Sequence, residues 1–324
     1  MESGSIVTKS LVKNFDALRA VDKVDIEVEP GTIFGFIGPN GAGKSTIVKI
    51  LTTILAPTEG SAYVGGLDVV RDGQKVRREI GVALQDVGLD PLMTATEMLV
   101  LQAMLFGESK TKARAKSDEL LRMVGLDDVP SRKPAGKFSG GMKRRLDLAL
   151  ALVHDPKVLF LDEPTTGLDP LSRVTIWNEV RRLNRELGMT IFLTTQYLEE
   201  ADRLADTIAI INNGSIVAQG TPEALKRDLG DEAVVFEFVD DATANTAEAK
   251  LASTLERVER SGIKISCYFA DATQAIPKLI NGLNEVHAVP TGLKVVQPSL
   301  DDVFLQATGL TSPEHKDESV KDDE

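Results

Sequence analysis

An α/β fold followed by a smaller α+β domain is what the sequence predicts, and three observations carry that expectation. Up to about Gly220, short apolar runs of strand length alternate with stretches of helical period. One run passes through a cluster of glycines directly into a helix, the strand–loop–helix order of a parallel sheet. Beyond Gly220 the apolar runs change character and alternate with polar residues, as half-buried strands do.

The run IFGFI at Ile33–Ile37 reads as a buried strand, and the helix after it places Ile47, Val48, Ile50, Leu51 and Ile54 on one face. A mostly helical insert follows, roughly residues 92–153, too long for an ordinary crossover. VLFL at 158–161 is a second buried strand and 191–193 lies in a third. Asp169 is placed to cap a helix with Pro170 in its first turn and Ile176, Val180, Leu183 and Leu187 along one face. Further on, VVFEF, IKISCYF and LKVV read as strands, with helices over 247–258 and 275–283. The expected division is therefore a main domain over 5–230, a small α+β domain over 231–310 and an acidic, disordered tail over 311–324.

Composition excludes several classes. A chain of 324 residues, 42% hydrophobic, can bury a sizeable core in two domains. The net charge is −12, and the tail, with six acids and two lysines, supplies −4 of it. An acidic body has no electrostatic footprint for a phosphate backbone, so no nucleic-acid partner is expected. The single cysteine, Cys267, rules out an internal disulfide. MESGSIVTKS shows no signal-peptide pattern, and no apolar run approaches the eighteen or so residues of a membrane span.

The strongest chemical signal is Gly38-Pro39-Asn40-Gly41-Ala42-Gly43-Lys44-Ser45-Thr46, which fits G-x-x-x-x-G-K-[ST]. Its glycines let successive backbone N–H groups turn inward as an anion nest at a helix start. Lys44 then reaches the outer phosphates of a nucleotide, and the Ser45 hydroxyl holds magnesium. In LFLDEP, Asp162 ends a buried strand, where a carboxylate needs a cation or hydrogen bonds. Mg2+ on the nucleotide would supply the cation, leaving Glu163 to orient or deprotonate a water. A polar strand end capping the next turn is the other reading of this pair. FSGGM, ahead of KRRLDLALALVH, marks a second helix start, with Met142, Leu146, Ala149 and Val153 on one face. Ser139 there is either a plain N-cap or part of a second phosphate site.

With these motifs in order, the chain resembles the ATP-binding subunits of ATP-binding cassette (ABC) transporters, and within them the drug-efflux branch typified by daunorubicin-resistance ATPases. Residues 38–45 match the Walker A loop, 139–142 the signature segment, and 158–162 with Glu163 the Walker B strand and catalytic glutamate. Gln85 in GVALQDVGLD matches the Q-loop and 166–169, ending in Asp169, the D-loop. The resemblance runs over roughly residues 5–310, since PSLDDVFLQATG is similar to the end of that branch's C-terminal domain.

It implies a P-loop NTPase domain with a helical subdomain and ATP and Mg2+ as cofactors, the metal held by Ser45, Gln85 and Asp162. Two cassettes would pair head to tail, with Ser139, Gly140 and Gly141 covering the nucleotide of the partner copy. Having one cassette, the chain would form a homodimer, or else pair with a sister subunit, at the cytoplasmic face of the membrane and power a separately encoded permease, exporting a drug or another hydrophobic compound. Phe15 is assigned to adenine stacking, a reading preferred to the structural alternative that it is simply one of the core phenylalanines. Leu89, Leu92 and Met93 lie where family members meet the permease, and core packing would account for them as well.

Gln196, in FLTTQYLEEAD, occupies the switch position where most of the family carries histidine. A glutamine amide can donate a hydrogen bond to a phosphate but cannot carry charge or relay a proton. The same string is common in the drug-efflux branch. The competing readings are a soluble ABC ATPase outside transport, which usually has paired cassettes or a long coiled-coil insert, and a weakly catalytic regulatory subunit, against which intact Lys44, Asp162 and Glu163 count.

Overall fold

A computed structural model describes residues 3–16, 18–85, 88–229, 232–255, 257–269 and 272–309. The acidic segment 311–324 lies outside the described residues. The chain divides into two compact units, Met1–Pro222 and Glu223–Glu324. The second unit thus begins a helix earlier than the sequence pattern places it.

In the first unit, β1 (Ile6–Phe15) and β2 (Leu18–Val28) pair antiparallel. β3 (Ile33–Ile37) is the IFGFI run, and the glycine loop joins it to α1 (Lys44–Leu51). β4 (Glu59–Val64) and β5 (Leu67–Asp68) complete an antiparallel sheet of order β2-β1-β4-β5. α2 (Gly73–Glu79) leads into β6 (Ile80–Ala83). The helical insert then supplies α3 (Ala95–Leu105), α4 (Lys110–Met123) and, after a 3₁₀ turn at Ala135–Lys137, α5 (Gly140–Ala151). β7 (Val158–Asp162), α6 (Pro170–Leu187), β8 (Thr190–Thr195), α7 (Leu198–Leu204), β9 (Thr207–Asn212) and β10 (Ser215–Gly220) follow.

The main sheet has the order β10-β9-β3-β8-β7-β6, parallel except for the edge strand β10. Its inner strands β3, β7 and β8 are buried along their whole length because both faces are covered, whereas the edge strand β10 is not. Phe34, Phe36, Phe160 and Phe192 point to one face, their neighbouring rings 5.4–5.6 Å apart where they meet Phe192. Ile33, Leu159, Leu161, Ile191 and Leu193 point to the other, against the helical insert.

Helix starts are fixed by local chemistry. Thr94 and Glu97 form a capping box on α3, and Ser109 caps α4. Asp169 accepts from the Ser172 amide, with Pro170 opening α6, and α6 stops at Gly188 in the left-handed conformation (φ 61°). One expectation fails here: α1 ends at Leu51, and Ile54 lies past it, 60% exposed rather than on the buried face. The backbone turns at Thr53, which has a positive φ of 65°, so the helical period does not extend that far.

The second unit opens with α8 (Pro222–Leu229). It continues with β11 (Glu232–Glu237), α9 (Asp241–Ala252), β12 (Val258–Ser261), β13 (Lys264–Phe269), α10 (Ala272–Glu285), β14 (Gly292–Val296) and α11 (Leu300–Thr308). β11 through β14 form an antiparallel sheet of order β12-β13-β11-β14, which with α9 and α10 makes a split β-α-β-β-α-β unit. Its core is built on Val234, Phe236, Ile265 and Cys267 from the strands and Ala244, Leu251 and Leu283 from the helices. Burial pushes the Cys267 thiol up to about 12, so it is a packed group and not a reactive one. The helix expected over 247–258 is in fact α9, six residues earlier at its start, and Val258 opens β12. The Asp240 side chain sets that start by capping the Thr243 amide.

Candidate functional site

The exits of β3, β8 and β7 are neighbours in the sheet, with Ile37 opposite Thr195 and Asp162 opposite Thr194. Chain segments leaving these three strands therefore converge on one crevice, the usual ligand position of a parallel sheet.

The loop after β3 is held tightly from below. A Cβ at Gly38 would stand 2.4 Å from the Ile211 carbonyl oxygen, and one at Gly43 2.4 Å from that of Ala20. Gly43 also has a φ of 107°, a conformation that side chains disfavour. No side chain caps α1, so its first amides are left to the crevice. The Lys44 ammonium, 5% exposed with its residue, donates to the carbonyls of Gly38 (2.7 Å) and Pro39 (3.2 Å) and lies 3.7 Å from Glu163 Oε1. Burial pushes it below the ordinary lysine value, and the carboxylates of Glu163 and Asp162 pull it back.

Asp162 accepts from the Thr194 hydroxyl at 2.5 Å and from the Ser45 hydroxyl at 3.4 Å. Glu163 is buried and has a left-handed backbone, φ 48°, uncommon for a non-glycine residue. Its amide donates to both oxygens of Thr194 at 3.1 Å, and its Oε2 accepts from Gln85 Nε2 (3.3 Å) and from the Thr166 hydroxyl (3.2 Å).

A cleft of about 470 Å³ opens over these groups, within the range of small-molecule sites. Phe15, Asn40, Gly41, Gly43, Lys44, Ser45, Thr46, Gln85 and Glu163 are among its lining residues. Phe15 is 43% exposed with Lys13 Nζ 5.2 Å from its ring centre, so it is a wall of the cleft and not a core phenylalanine. Ser45 and Asp162 present a hydroxyl and a carboxylate oxygen, donors of the hard type that suits Mg2+. Among the described residues no cluster of three or more His, Cys, Asp or Glu could hold a metal ion.

Other expected residues stand elsewhere. Ser139 caps α5 by accepting from the Met142 amide at 3.3 Å. The position of a Cβ on Gly141 would be 2.8 Å from Ser172 Oγ, and Ser172 is itself bonded to Asp169, so signature and D-loop segments pack on each other. Ser139, Gly140, Gly141 and Asp169 are not in the lining of the cleft, nor is Gln196, which is exposed just after β8. Leu92 is 86% exposed and is no core residue, whereas Leu89 and Met93 pack on the helical insert's core.

Sequence reasoning missed Thr194, whose hydroxyl links Asp162 to the Glu163 amide; a threonine pair ending an apolar strand was the available signal. It also missed Arg144 and Glu200, both buried beneath the site.

Known proteins carry similar chains. The family model described as ABC transporter matches residues 21–166. The daunorubicin/doxorubicin resistance ATP-binding protein DrrA of Streptomyces peucetius is 41% identical over 99% of this chain and 97% of its own. Nod factor export ATP-binding protein I of Rhizobium etli is 37% identical over 92% and 91% of the two chains. Among solved structures, a dimeric ATP-binding cassette in a post-hydrolysis state bound to ADP and Pi superposes with a TM-score of 0.62 at 27% identity, covering 67% of this chain and 98% of that one. Fold, motif order and near-full-length similarity agree: the chain belongs to the ABC transporter family, as one of its ATP-binding, ATP-hydrolysing subunits.

Proposed function

We propose that the chain drives export of a drug or similar hydrophobic compound through a separately encoded permease, working as a pair of identical cassettes at the cytoplasmic face of the membrane. The observation that carries this is extent: similarity to drug-resistance ATP-binding proteins runs through both units of the chain, 99% of it in one case. No helix among the described residues is long and apolar enough to cross a membrane, which supports a separate permease. The exposed Leu92, beside the Q-loop, is a natural part of the permease contact. Inverted membrane vesicles carrying the chain and a candidate permease should accumulate daunorubicin when ATP is added. Absence of ATP-dependent uptake with every polytopic protein encoded beside it would overturn the export reading.

In the cleft, Phe15 stacks on adenine, and the 38–46 loop with Lys44 neutralises the outer phosphates. Ser45, Asp162 and Gln85 would hold Mg2+, which when bound would supply positive charge to the phosphoryl oxygens. Glu163, held by Gln85 and Thr166, orients the attacking water and takes its proton. The position of Ser139, Gly140, Gly141 and Asp169 outside their own chain's cleft supports their acting on the partner copy's nucleotide. The Lys44–Glu163 ion pair and the Ser45–Asp162 hydrogen bond, side by side in one site, argue against a purely regulatory subunit.

Gln196 supplies only a neutral hydrogen bond to the γ-phosphate. Gln196→Ala should therefore slow steady-state turnover by roughly five-fold. Gln196→His should remain active and acquire a pH dependence near the imidazole value of about 6.5. A loss in Gln196→Ala as deep as that in Glu163→Gln would make the glutamine a principal catalytic group.

The second unit serves assembly and not catalysis. Its boundary can be tested by truncation after Pro222, where the first compact unit ends: the remaining 1–222 fragment should bind a fluorescent ATP analogue while pairing or engaging the permease poorly. A fragment unable to bind the analogue would show the division to be misplaced.

A further inference from the structure

Arg144 lies on α5, the helix capped by Ser139, and is 5% exposed. It stands in the basic run KRR, yet its guanidinium is turned inward onto backbone. Nε donates to the Pro164 carbonyl at 2.9 Å and Nη2 to the Asp162 carbonyl at 3.2 Å. Nη1 donates to the Leu84 carbonyl at 2.6 Å and to Asp147 Oδ2 at 2.9 Å. Asp162 and Pro164 flank Glu163, and Leu84 precedes Gln85, the residue bonded to the Glu163 carboxylate. One planar fork thus spans the backbone on both sides of Glu163 and the segment that brings Gln85 to it, a geometry no single-point cation reproduces.

The segment is gripped from a second side. Glu200, fully buried on α7, accepts through Oε1 from the Thr165 hydroxyl (2.9 Å) and Trp177 Nε1 (2.8 Å). Pro164 and Thr165 are therefore held between Arg144 and Glu200. Glu163 itself has a φ of 48°, a conformation that persists only where its surroundings impose it.

We propose that Arg144 is a positioning residue for ATP hydrolysis: by bridging the carbonyls on either side of Glu163 and the one before Gln85, it holds the Glu163 carboxylate in its working position and ties that position to the signature helix α5. Arg144 does not line the cleft, so its action goes through Glu163 and leaves nucleotide binding alone. The inference rests on the reading of Glu163 as the water-orienting group.

The test compares Arg144→Met and Arg144→Lys with the unmodified full chain and with Glu163→Gln, measuring steady-state kcat and KM for Mg-ATP well below each variant's melting temperature. The expected result for Arg144→Met is a fall of about ten-fold or more in kcat with KM within about two-fold, since small displacements of a catalytic group are costly to rate. Arg144→Lys, able to reach only part of the carbonyl set, should show the same split, and it decides the matter alone if Arg144→Met does not fold. A kcat within about two-fold of the unmodified chain in a folded variant, or a KM that rises in step with the loss of kcat, would overturn the proposal. The Glu163→Gln arm separates the two layers. Turnover retained there defeats the reading of Glu163, whereas an inactive Glu163→Gln beside a fully active Arg144 variant defeats only the role given to Arg144.

Discussion

Glu163→Gln should cut steady-state ATP turnover by a hundred-fold or more while leaving ATP bound. The substitution keeps the size and the hydrogen-bonding reach of the side chain, so the bonds from Gln85 and Thr166 can be remade by the amide oxygen. What it removes is the only feature that distinguishes the groups, a carboxylate able to accept the proton of the attacking water. It also removes the charge 3.7 Å from Lys44, which leaves that ammonium freer to follow the phosphates and keeps affinity high. Turnover is read by phosphate release and affinity by a fluorescent ATP analogue. Turnover within a few-fold of the unmodified chain would remove Glu163 from the chemistry.

Lys44→Ala acts on the other half of the cycle. Its ammonium is buried at the floor of the cleft between two carboxylates and the loop carbonyls of Gly38 and Pro39. Removing it leaves Asp162 and Glu163 facing an incoming polyphosphate with their principal neutralising charge gone. Charged hydrogen bonds contribute about 1.5–3 kcal/mol each, so ATP affinity should fall by roughly a hundred-fold or more, in effect abolishing binding at micromolar concentrations. Unchanged affinity for the analogue would mean that the 38–46 loop is a structural turn.

Much of this site is legible in the sequence because its parts are local. A five-residue apolar run, a glycine loop and a lysine define strand, nest and helix start without any tertiary information, and LFLDEP does the same for the second strand exit. The signature helix and α6 announce themselves through Ser139 and Asp169, whose capping chemistry is short-range. Other features were not readable. The edge strand β12, Val-Glu-Arg-Ser, is short and mostly polar, so neither apolar alternation nor propensity marks it. The start of α9 lies in DATANTAEAK, whose alanines and threonines give no apolar period. Arg144 was invisible for a different reason: a basic run on a helix reads as solvated surface, and only the packing of α5 beside the exits of β6 and β7 turns one of its members inward. The bond between Gln85 and Glu163 joins residues 78 apart, so the two motifs could be named but their contact could not.

ATP-driven closure of two copies of this cleft, each completed by the other's Ser139–Gly141 segment, with opening after hydrolysis, is the cycle we propose. Its most direct test is the solution mass of the Glu163→Gln chain by size exclusion with light scattering, in Mg-ATP and in Mg-ADP. The expected result is a species of twice the 35.0 kDa chain mass in ATP and a single chain in ADP. A single chain of 35.0 kDa with ATP demonstrably bound at saturation would rule out this ATP-driven pairing.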